Sequence, residues 1–292
     1  MDLANLHTFI AVAELGSFSL AGERLHLTQP AVSKRIAALE QQLNARLFDR
    51  IGRDVGLTQA GTALLPRARR IINELQDTQR ALANLEQHVG GSLTLATSHH
   101  IGLHRLPATL KAFTKQYPKV RLDIRFLDSE VAYEQVLQGR CELAIITLSP
   151  STQPPLHAMP IWLDYLDFVA AKDHPLSMLG SLTLEDLAAY PAVFPGANTF
   201  TQKIAQGFFD RAGITPNISM SSNYLETIKM MVSIGLAWSL LPRTMLDDSI
   251  AHLKVGNIQL TRQLGYIFHQ ERTLSNAAQA FMQILKQHGS WA

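Results

Sequence analysis

The sequence predicts an α+β protein of three consecutive parts: a small helical domain, one long helix, and a larger region of two α/β halves. Helical patterns follow one another closely near the N-terminus, and an apolar repeat of three and four residues occupies the middle. After the pair Gly90 and Gly91, strand-like runs alternate with helical ones. A chain of 292 residues is long enough for about two or three compact units.

The composition excludes several classes of protein. Hydrophobic residues make up 47% of the chain, as in globular proteins, and none of their runs approaches the length of a membrane-spanning helix. The first residues, MDLANLHTFIAVAELGSF, lack the basic region and cleavage site of a signal peptide. The single cysteine, Cys141, has no partner for a disulfide within the chain. We therefore expect a cytoplasmic protein without a membrane partner.

Positive charge is concentrated near the N-terminus, although the net charge of the whole chain is only +2. Between Arg24 and Arg70 the sequence has nine basic and three acidic residues, so the remainder of the chain is mildly acidic. A basic block on an acidic remainder is expected when one small domain contacts phosphate groups. A solvated charged surface is the alternative.

The first fifty residues have the pattern of a helix-turn-helix. The segment NLHTFIAVAEL places its apolar residues on one stripe, and Ser19 is the expected N-cap of a short second helix that ends at Leu25. A brief turn leads into LTQPAVSKRIAALEQQL, which predicts a third helix with Thr28 as its N-cap. The following segment, LFDRIGRDVGLTQAG, predicts a two-stranded wing with Arg53 at its tip.

The third helix has two chemically different faces. Its apolar residues have the spacing of a face that packs on a core: Val32, Ile36, Leu39 and Leu43. The opposite face carries small and hydrogen-bonding residues and no carboxylate: Pro30, Ser33, Lys34, Ala37 and Gln41. Such a face fits the major groove of DNA, where acids would be repelled by phosphate.

A long helix is predicted from Thr58 to about His88, with Pro66 kinking its first turns. Its apolar positions, with Thr78 as the weak member, follow a heptad: Leu64, Ala68, Ile71, Leu75, Thr78, Leu82, Leu85 and Val89. The spacing predicts pairing with a second copy of the helix. The alternative is a single amphipathic helix that lies on its own domain.

The region after Gly91 predicts two similar α/β halves. The strand-like runs SLTLATS, VRLDIRFLD and CELAIITL are each followed by a helix or a loop, and a second set begins at LDFVAAKDHPL. Two such halves predict a cleft, where helix N-termini and the C-terminal ends of strands contact a ligand.

These motifs resemble those of the LysR-type bacterial transcriptional regulators over essentially the whole chain. FIAVAELGSFSLAGERLHLTQPAVSKRIAALEQQLNARLFDRIGRDVGLTQAG is similar to the winged helix-turn-helix of that family, and GLHRLPATLKAFTKQYPKVRLDI, LQGRCELAII, DHPL and ETIKMMVSIGLAWSLLP have the order of its effector half. The resemblance implies a transcriptional regulator, not an enzyme, with a periplasmic-binding-protein-like C-terminal region. The implied parts are a DNA-binding domain (1–58), a linker helix (59–89) and an effector-binding domain (90–292), with lobe one at about 91–161 and 267–292 and lobe two at about 162–266.

The resemblance also implies the residues that contact DNA. The implied contacts to bases or sugars are Gln29, Pro30 and Ser33, with Lys34 nearby. The implied phosphate contacts are Arg50, Arg53 and Thr58. For Arg50, a surface ion pair with Asp49 or Asp54 is the alternative.

Two groups of residues are expected to bind the effector. The first follows SLTLATS at the start of a helix, where free amides and hydroxyls favour an anion: Thr97, Ser98, His99 and His100. The second is implied by pocket positions of the family: Thr147, Asn198, Thr199, Ser222 and Asn223. We expect an anionic or zwitterionic effector and no cofactor. The first segment is similar to that of cysteine-biosynthesis regulators, which implies a sulfur-containing anion.

The other implied partners are double-stranded promoter DNA, a second copy of the chain through the linker helix, further copies in a homotetramer, and RNA polymerase. Three alternatives stay open beside this interpretation. His99, His100 and His104 could hold a metal, but the sequence places no cysteine or carboxylate beside them. Cys141 could act as a redox switch, but it lacks a resolving partner. A transport-type solute-binding protein would share the two lobes but would not begin with a DNA-binding domain.

Overall fold

The computed structural model describes residues 1–51, 54–86 and 88–289, without the side chains of 50, 51 and 54. The chain divides into two compact units, Met1–Glu86 and Gln87–Ala292, here called the N-terminal unit and the effector unit. Among the described residues, no helix combines the length and the apolar character needed to cross a membrane.

The N-terminal unit begins with three helices, α1 (Leu3–Leu15), α2 (Phe18–Leu25) and α3 (Gln29–Leu43). The second helix begins earlier than predicted, because Ser17 rather than Ser19 is its N-cap and the Ser17 hydroxyl accepts a hydrogen bond from the Leu20 amide. Thr28 is the N-cap residue of α3, as predicted, but its side chain makes no capping hydrogen bond.

The three helices share one apolar core. Phe9 and Val12 of α1 pack with Val32 and Ile36 of α3, and all four are fully buried. Leu43 is predicted on the same face, but it lies in the last turn of α3 and is 38% exposed. The interval between α2 and α3 is tight, and a Cβ at Gly22 would approach the Leu27 carbonyl oxygen to 2.7 Å.

A wing and a long helix complete the N-terminal unit. Strands β1 (Phe48–Ile51) and β2 (Asp54–Leu57) pair antiparallel, and α4 extends over Gln59–Asn84. The Glu40 carboxylate accepts hydrogen bonds from the amides of Leu47 and Phe48, which fixes the wing to α3.

The long helix is shorter than predicted. It ends at Asn84, so Leu85 is only its C-cap and Val89 lies outside it, packed against the core of the effector unit. At the other end of the predicted heptad, Ala68 is buried in the core of the N-terminal unit. The first half of the helix therefore packs on its own unit, as the alternative interpretation predicts. An exposed apolar stretch remains in its second half, and pairing with a second copy stays a prediction.

The effector unit contains nine strands and seven α-helices among its described residues. The strands are β3 (Gly91–Thr97), β4 (Val120–Phe126), β5 (Leu143–Thr147), β6 (Leu156–Ala170), β7 (Ala192–Phe194), β8 (Ile218–Ser221), β9 (Ser239–Pro242), β10 (Ala251–His252) and β11 (Leu260–His269). The helices are α5 (His99–His104), α6 (Pro107–Gln116), α7 (Ser129–Leu137), α8 (Leu184–Ala188), α9 (Phe200–Arg211), α10 (Leu225–Ser233) and α11 (Asn276–His288).

Two long antiparallel strands, β6 and β11, join two lobes. The main sheet has the order β10-β6-β11-β5-β3-β4, and β9 also pairs with β6, while β7 and β8 form a separate parallel pair. One end of the β6–β11 ladder packs in the core of lobe one with Phe113 and Phe281, and the other packs in the core of lobe two with Phe209 and Trp238. The backbones of β6 and β11 approach each other closely at Gly265, where a Cβ would lie 2.1 Å from the Met159 carbonyl oxygen.

Candidate DNA interface and inter-lobe cleft

The predicted DNA-reading residues share one exposed face of α3. Gln29, Pro30 and Lys34 are exposed and Ser33 is half-buried, while Val32, on the other side of the helix, is fully buried. The Gln29 side-chain amide donates a 3.0 Å hydrogen bond to the Ser33 hydroxyl, one helical turn away. This bond holds two hydrogen-bonding side chains side by side at the N-terminal end of the helix.

The electrostatic character of this face follows from where the nearby acids point. The nearest acid of α3, Glu40, is half-buried, and one of its oxygens accepts from the Leu47 amide before the wing. The buried carboxylate of Glu14 pairs with Arg24 at 2.8 Å and with Arg69 at 3.3 Å, so two members of the basic block have a structural role. Lys34 has no ion pair within the described part of the chain, so its charge remains available to phosphate.

The predicted phosphate contacts are only partly described. Arg53 and the side chain of Arg50 lie outside the described residues, so the backbone alone places Arg50 in β1. Thr58 is half-buried, and its hydroxyl accepts from the Gly61 amide at 3.0 Å while it donates to the Arg46 carbonyl at 2.7 Å. Thr58 therefore caps α4, a role that the sequence analysis did not assign to it.

The cleft of the effector unit is lined from both lobes. Six predicted effector residues line it: Ser98, His99, His100, Thr147, Thr199 and Asn223. Three do not: Thr97 is buried below and donates to the Ile145 carbonyl, Asn198 is exposed outside, and Ser222 accepts from the Tyr224 amide in a turn. Free space in the cleft is only about 50 Å³, which admits a few water molecules.

Hydrogen bonds between the lobes keep the cleft narrow. The Glu130 carboxylate of lobe one accepts from the Phe200 amide, the first N–H of α9. The Asn223 side chain donates to Asp128 at 2.6 Å, and its oxygen accepts from the Gly196 amide at 2.9 Å. The sequence analysis missed both acids, although Asp128 and Glu130 follow β4 at the same edge of the sheet as Ser98 follows β3.

A buried ion pair forms the floor of the cleft. Arg262 of β11 donates to Asp164, its register partner on β6, at 2.9 Å, and the two residues are 5% and 1% exposed. Arg262 also donates to the Thr201 hydroxyl at 2.8 Å, and Arg105 reaches the second oxygen of Asp164 at 3.3 Å. One carboxylate thus compensates two guanidinium groups, which leaves positive charge at the floor.

The three histidines have different surroundings. The His99 ring packs between Phe126 and Tyr224, with centroids 5.2 and 4.8 Å away. His104 is exposed, and its Nε2 lies 3.1 Å from the Glu226 carboxylate of lobe two. His100 is buried, and burial together with the charge of Arg262 lowers its pKa to about 3.

Cys141 is a buried free thiol, 2% exposed, within the apolar cluster formed by Ala132, Val136 and Ala144. Burial raises the pKa of this thiol. These surroundings are those of an inert core cysteine, and they give no support to the redox-switch alternative.

A winged helix-turn-helix followed by a two-lobed α/β unit defines a DNA-binding regulator that responds to small molecules. The family model described as a bacterial regulatory helix-turn-helix protein of the lysR family matches residues 3–62, and the model described as a LysR substrate binding domain matches residues 86–290. The chain belongs to the LysR family of transcriptional regulators. The family prediction and its fold class are confirmed, and the family consists of regulators, not enzymes.

Individual relatives agree with this assignment. A probable RuBisCO transcriptional regulator of Cyanidioschyzon merolae is 31% identical over 96% of each chain. An uncharacterized HTH-type transcriptional regulator in the ibpB-leuC intergenic region of Azotobacter vinelandii is 78% identical, over 37% of this chain and 74% of its own length. The crystal structure of full-length CbnR complexed with its target DNA covers 99% of both chains with a TM-score of 0.64 at 24% identity, which shows the shared fold.

Proposed function

We propose that the N-terminal unit reads promoter DNA through the exposed face of α3, and that a small zwitterion bound in the inter-lobe cleft switches the regulator. The observation that carries the proposal is the solvent-facing N-terminal end of α3, which has hydrogen-bonding groups and a cation but no acid. Gln29, Ser33 and Pro30 contact bases or sugars in the major groove, and Lys34 adds attraction to phosphate.

The remaining proposed contacts are to DNA phosphates, and they fix the position of the N-terminal unit on the duplex. Arg50 and Arg53 contact phosphates from the wing, and Thr58 does so at the start of α4. To donate to a phosphate, the Thr58 hydroxyl would have to redirect the proton that it gives to the Arg46 carbonyl. The CbnR complex supports this arrangement, since that protein, with the same fold, binds its target DNA.

The charges of the cleft narrow the chemistry of the effector. Arg262 at the floor favours a carboxylate, while Asp128 and Glu130 on the wall favour an ammonium group or other donor. An effector with both kinds of group satisfies both sides, which favours a zwitterion over the sulfur-containing anion implied by the resemblance. Ser98 is available to such a ligand, because it is the N-cap residue of α5 without a capping hydrogen bond from its side chain.

Self-association uses the second half of α4. Leu82, 62% exposed, and Leu75, half-buried, lie on one side of this half, together with Leu85 at its C-cap. Two such helices pair to form a dimer, pairing of effector units gives the tetramer, and the assembly presents promoter-bound units to RNA polymerase. Sedimentation tests the first step: Leu75→Asp together with Leu82→Asp yields monomers at micromolar concentration, whereas Leu103→Asp on the effector unit leaves the dimer formed through α4 intact.

Selection of bound sequences from a random DNA pool tests the DNA-reading proposal. The wild-type protein enriches an interrupted inverted repeat, and Gln29→Ala loses enrichment at one or more positions of each half-site. Gln41→Ala is the matched control, because Gln41 is exposed on the same helix but about three turns further from its N-terminal end. Enrichment of the same motif by Gln29→Ala as by the wild type would contradict the assignment of this face.

Calorimetry tests the effector proposal, after a thermal-shift screen of small zwitterions and anions has identified a ligand. Ser98→Ala weakens binding of that ligand without lowering the melting temperature. Ser275→Ala is the control for a purely structural serine, because its hydroxyl accepts from the Ala278 amide and caps α11. The control lowers the melting temperature and keeps the affinity. Unchanged affinity in Ser98→Ala would place the effector elsewhere.

A further inference from the structure

We infer that His100, His104 and Glu226 form a binding site for a divalent transition-metal ion of the zinc class at the rim of the cleft. His100 and His104 lie one helical turn apart on α5 in lobe one, and Glu226 lies in the first turn of α10 in lobe two. The sequence analysis gave a metal site at the histidines little support, because no cysteine or carboxylate stands beside them in the sequence. The fold supplies one from 122 residues further along the chain.

The distances fit a metal site after small side-chain adjustments. One ligand atom from each of the three residues can be chosen so that all lie within 4.8 Å of one another. The Glu226 Oε1 atom lies 3.1 Å from His104 Nε2 and 4.0 Å from His100 Nδ1. Bonds of about 2.0–2.1 Å in a tetrahedral site place two ligand atoms about 3.3 Å apart, so both distances are within about 0.7 Å of that geometry.

His100 provides the second, independent observation. It is 4% exposed, and neither of its ring nitrogens has a hydrogen-bond partner. A buried imidazole without a partner loses its hydration without compensation, and coordination to a metal would satisfy it.

A simple hydrogen bond between the lobes is the competing explanation. The contact between His104 and Glu226 by itself is adequately described as such a bond, but it gives no partner to the buried His100 ring. A metal would use all three residues.

The surrounding positive charges oppose a cation at this position only in part. Arg105 and Arg262 act on His100, and both donate hydrogen bonds to the buried Asp164 carboxylate, which offsets part of their charge. On the open side, Lys229 forms an ion pair with Asp247. The combination of two imidazoles and one carboxylate suits zinc, cobalt or nickel, whereas magnesium and calcium require more oxygen ligands.

The site has a structural consequence for the effector unit. His104 and Glu226 also line an open groove of about 410 Å³, so a fourth coordination position would be accessible to water or another small ligand. Because its ligands come from α5 and α10, a bound ion would tie lobe one to lobe two. This inference goes beyond the proposed function, since metal binding requires neither DNA nor the effector.

Titration of the full-length, tag-free and metal-stripped protein with Zn²⁺ tests the site by calorimetry, with metal content measured by mass spectrometry. The wild type binds one Zn²⁺ at this site per chain and gains melting temperature. His104→Gln can keep a hydrogen bond to Glu226 but lacks the imidazole, and we expect at least about tenfold weaker binding. Glu226→Gln weakens binding similarly, and circular dichroism verifies that both variants are folded.

His7→Ala is the matched control, because His7 is an exposed histidine of the N-terminal unit with no part in the site. It binds Zn²⁺ as the wild type does. Co²⁺ gives a second readout, since a tetrahedral site with nitrogen ligands produces visible absorption that His104→Gln abolishes. Absence of Zn²⁺ binding by the wild type, or equal affinity in the wild type and both site variants, would overturn the inference.

Discussion

The outer face of α3 and the inter-lobe cleft differ in how their polar groups are satisfied. On α3, Gln29 bonds to its neighbour Ser33 and the rest of the face is open to solvent. In the cleft, the carboxylates of one lobe bond to the backbone and side chains of the other, as Glu130 does to Phe200. The proposed DNA face can therefore bind DNA by displacing water, whereas a ligand in the cleft must replace hydrogen bonds that already exist between the lobes.

This difference explains how one chain can keep its proposed DNA face available for binding and still respond to a small molecule in the cleft. A ligand shifts the equilibrium between an open and a closed cleft only by its difference in affinity for the two. Because bonds between the lobes already satisfy the polar groups of the cleft, the effector that we propose would compete for Asp128, Glu130 and the first amide of α9. The predictions below test each side of this comparison.

The largest expected effect is on the buried pair at the floor of the cleft. Arg262→Met leaves Asp164 buried with only the partly exposed Arg105 as a charged partner, and we expect a loss of ~3–5 kcal/mol in the free energy of unfolding of the effector unit. Urea unfolding followed by tryptophan fluorescence measures it. All three tryptophans, Trp162, Trp238 and Trp291, belong to the effector unit, so the signal does not report on the N-terminal unit.

An exposed ion pair on strand β4 of lobe one provides the control. Arg125 and Asp123 pair at 3.1 Å, with side chains 41% and 45% exposed. Arg125→Met should therefore cost less than ~1 kcal/mol. A cost below ~1 kcal/mol for Arg262→Met as well would mean that the floor of the cleft is as solvated as this surface pair.

The second prediction concerns the two kinds of DNA contact. Ser33→Ala removes a proposed base contact and should reduce the preference for operator over random DNA by ~1–3 kcal/mol. Arg53→Ala removes a proposed phosphate contact and should weaken binding to both DNAs about equally. Fluorescence anisotropy with the two duplexes at one fixed salt concentration separates these outcomes. Equal losses on both duplexes for Ser33→Ala would show that another face of α3 reads the bases.

The two regions also differ in what their sequences could predict. The proposed DNA face lies within one helix, where a period of 3.6 residues places Ser33 and Lys34 on the polar side from local spacing alone, while Gln29 was implied by the family resemblance. The cleft brings together Asp128 and Arg262, which are far apart in the sequence and meet only through the sheet. The rule that ligands bind at the carboxyl ends of strands predicted Ser98, and applied to β4 it would also have found Glu130.

The third prediction tests whether the cleft is held by its own hydrogen bonds. Glu130→Ala removes the acceptor for the Phe200 amide at the N-terminus of α9, and the loss of about 1 kcal/mol corresponds to roughly fivefold faster hydrogen exchange there. Exchange measured by NMR reports on this single amide. Glu134→Ala is the control, because Glu134 is exposed on the same helix and should leave the Phe200 amide unchanged. Equal exchange in both variants would show that Glu130 does not hold the lobes together.

The smallest expected effect concerns the buried Cys141 thiol. Its test distinguishes switching by a ligand from switching by oxidation. Burial raises the pKa of Cys141, so a thiol reagent at pH 8 should react slowly with the native protein and rapidly after unfolding in urea. Because the pKa of the thiol is lower in the unfolded chain, the unfolded thiol loses its proton at a lower pH than the buried one. The contribution of Cys141 to stability is therefore complete below the unfolded pKa and falls as the pH rises above that value. Cys141→Ala should not react and should keep operator binding under peroxide, as the wild type does. Rapid labelling of the native thiol, together with loss of operator binding on oxidation, would make Cys141 a second switch beside the proposed effector cleft.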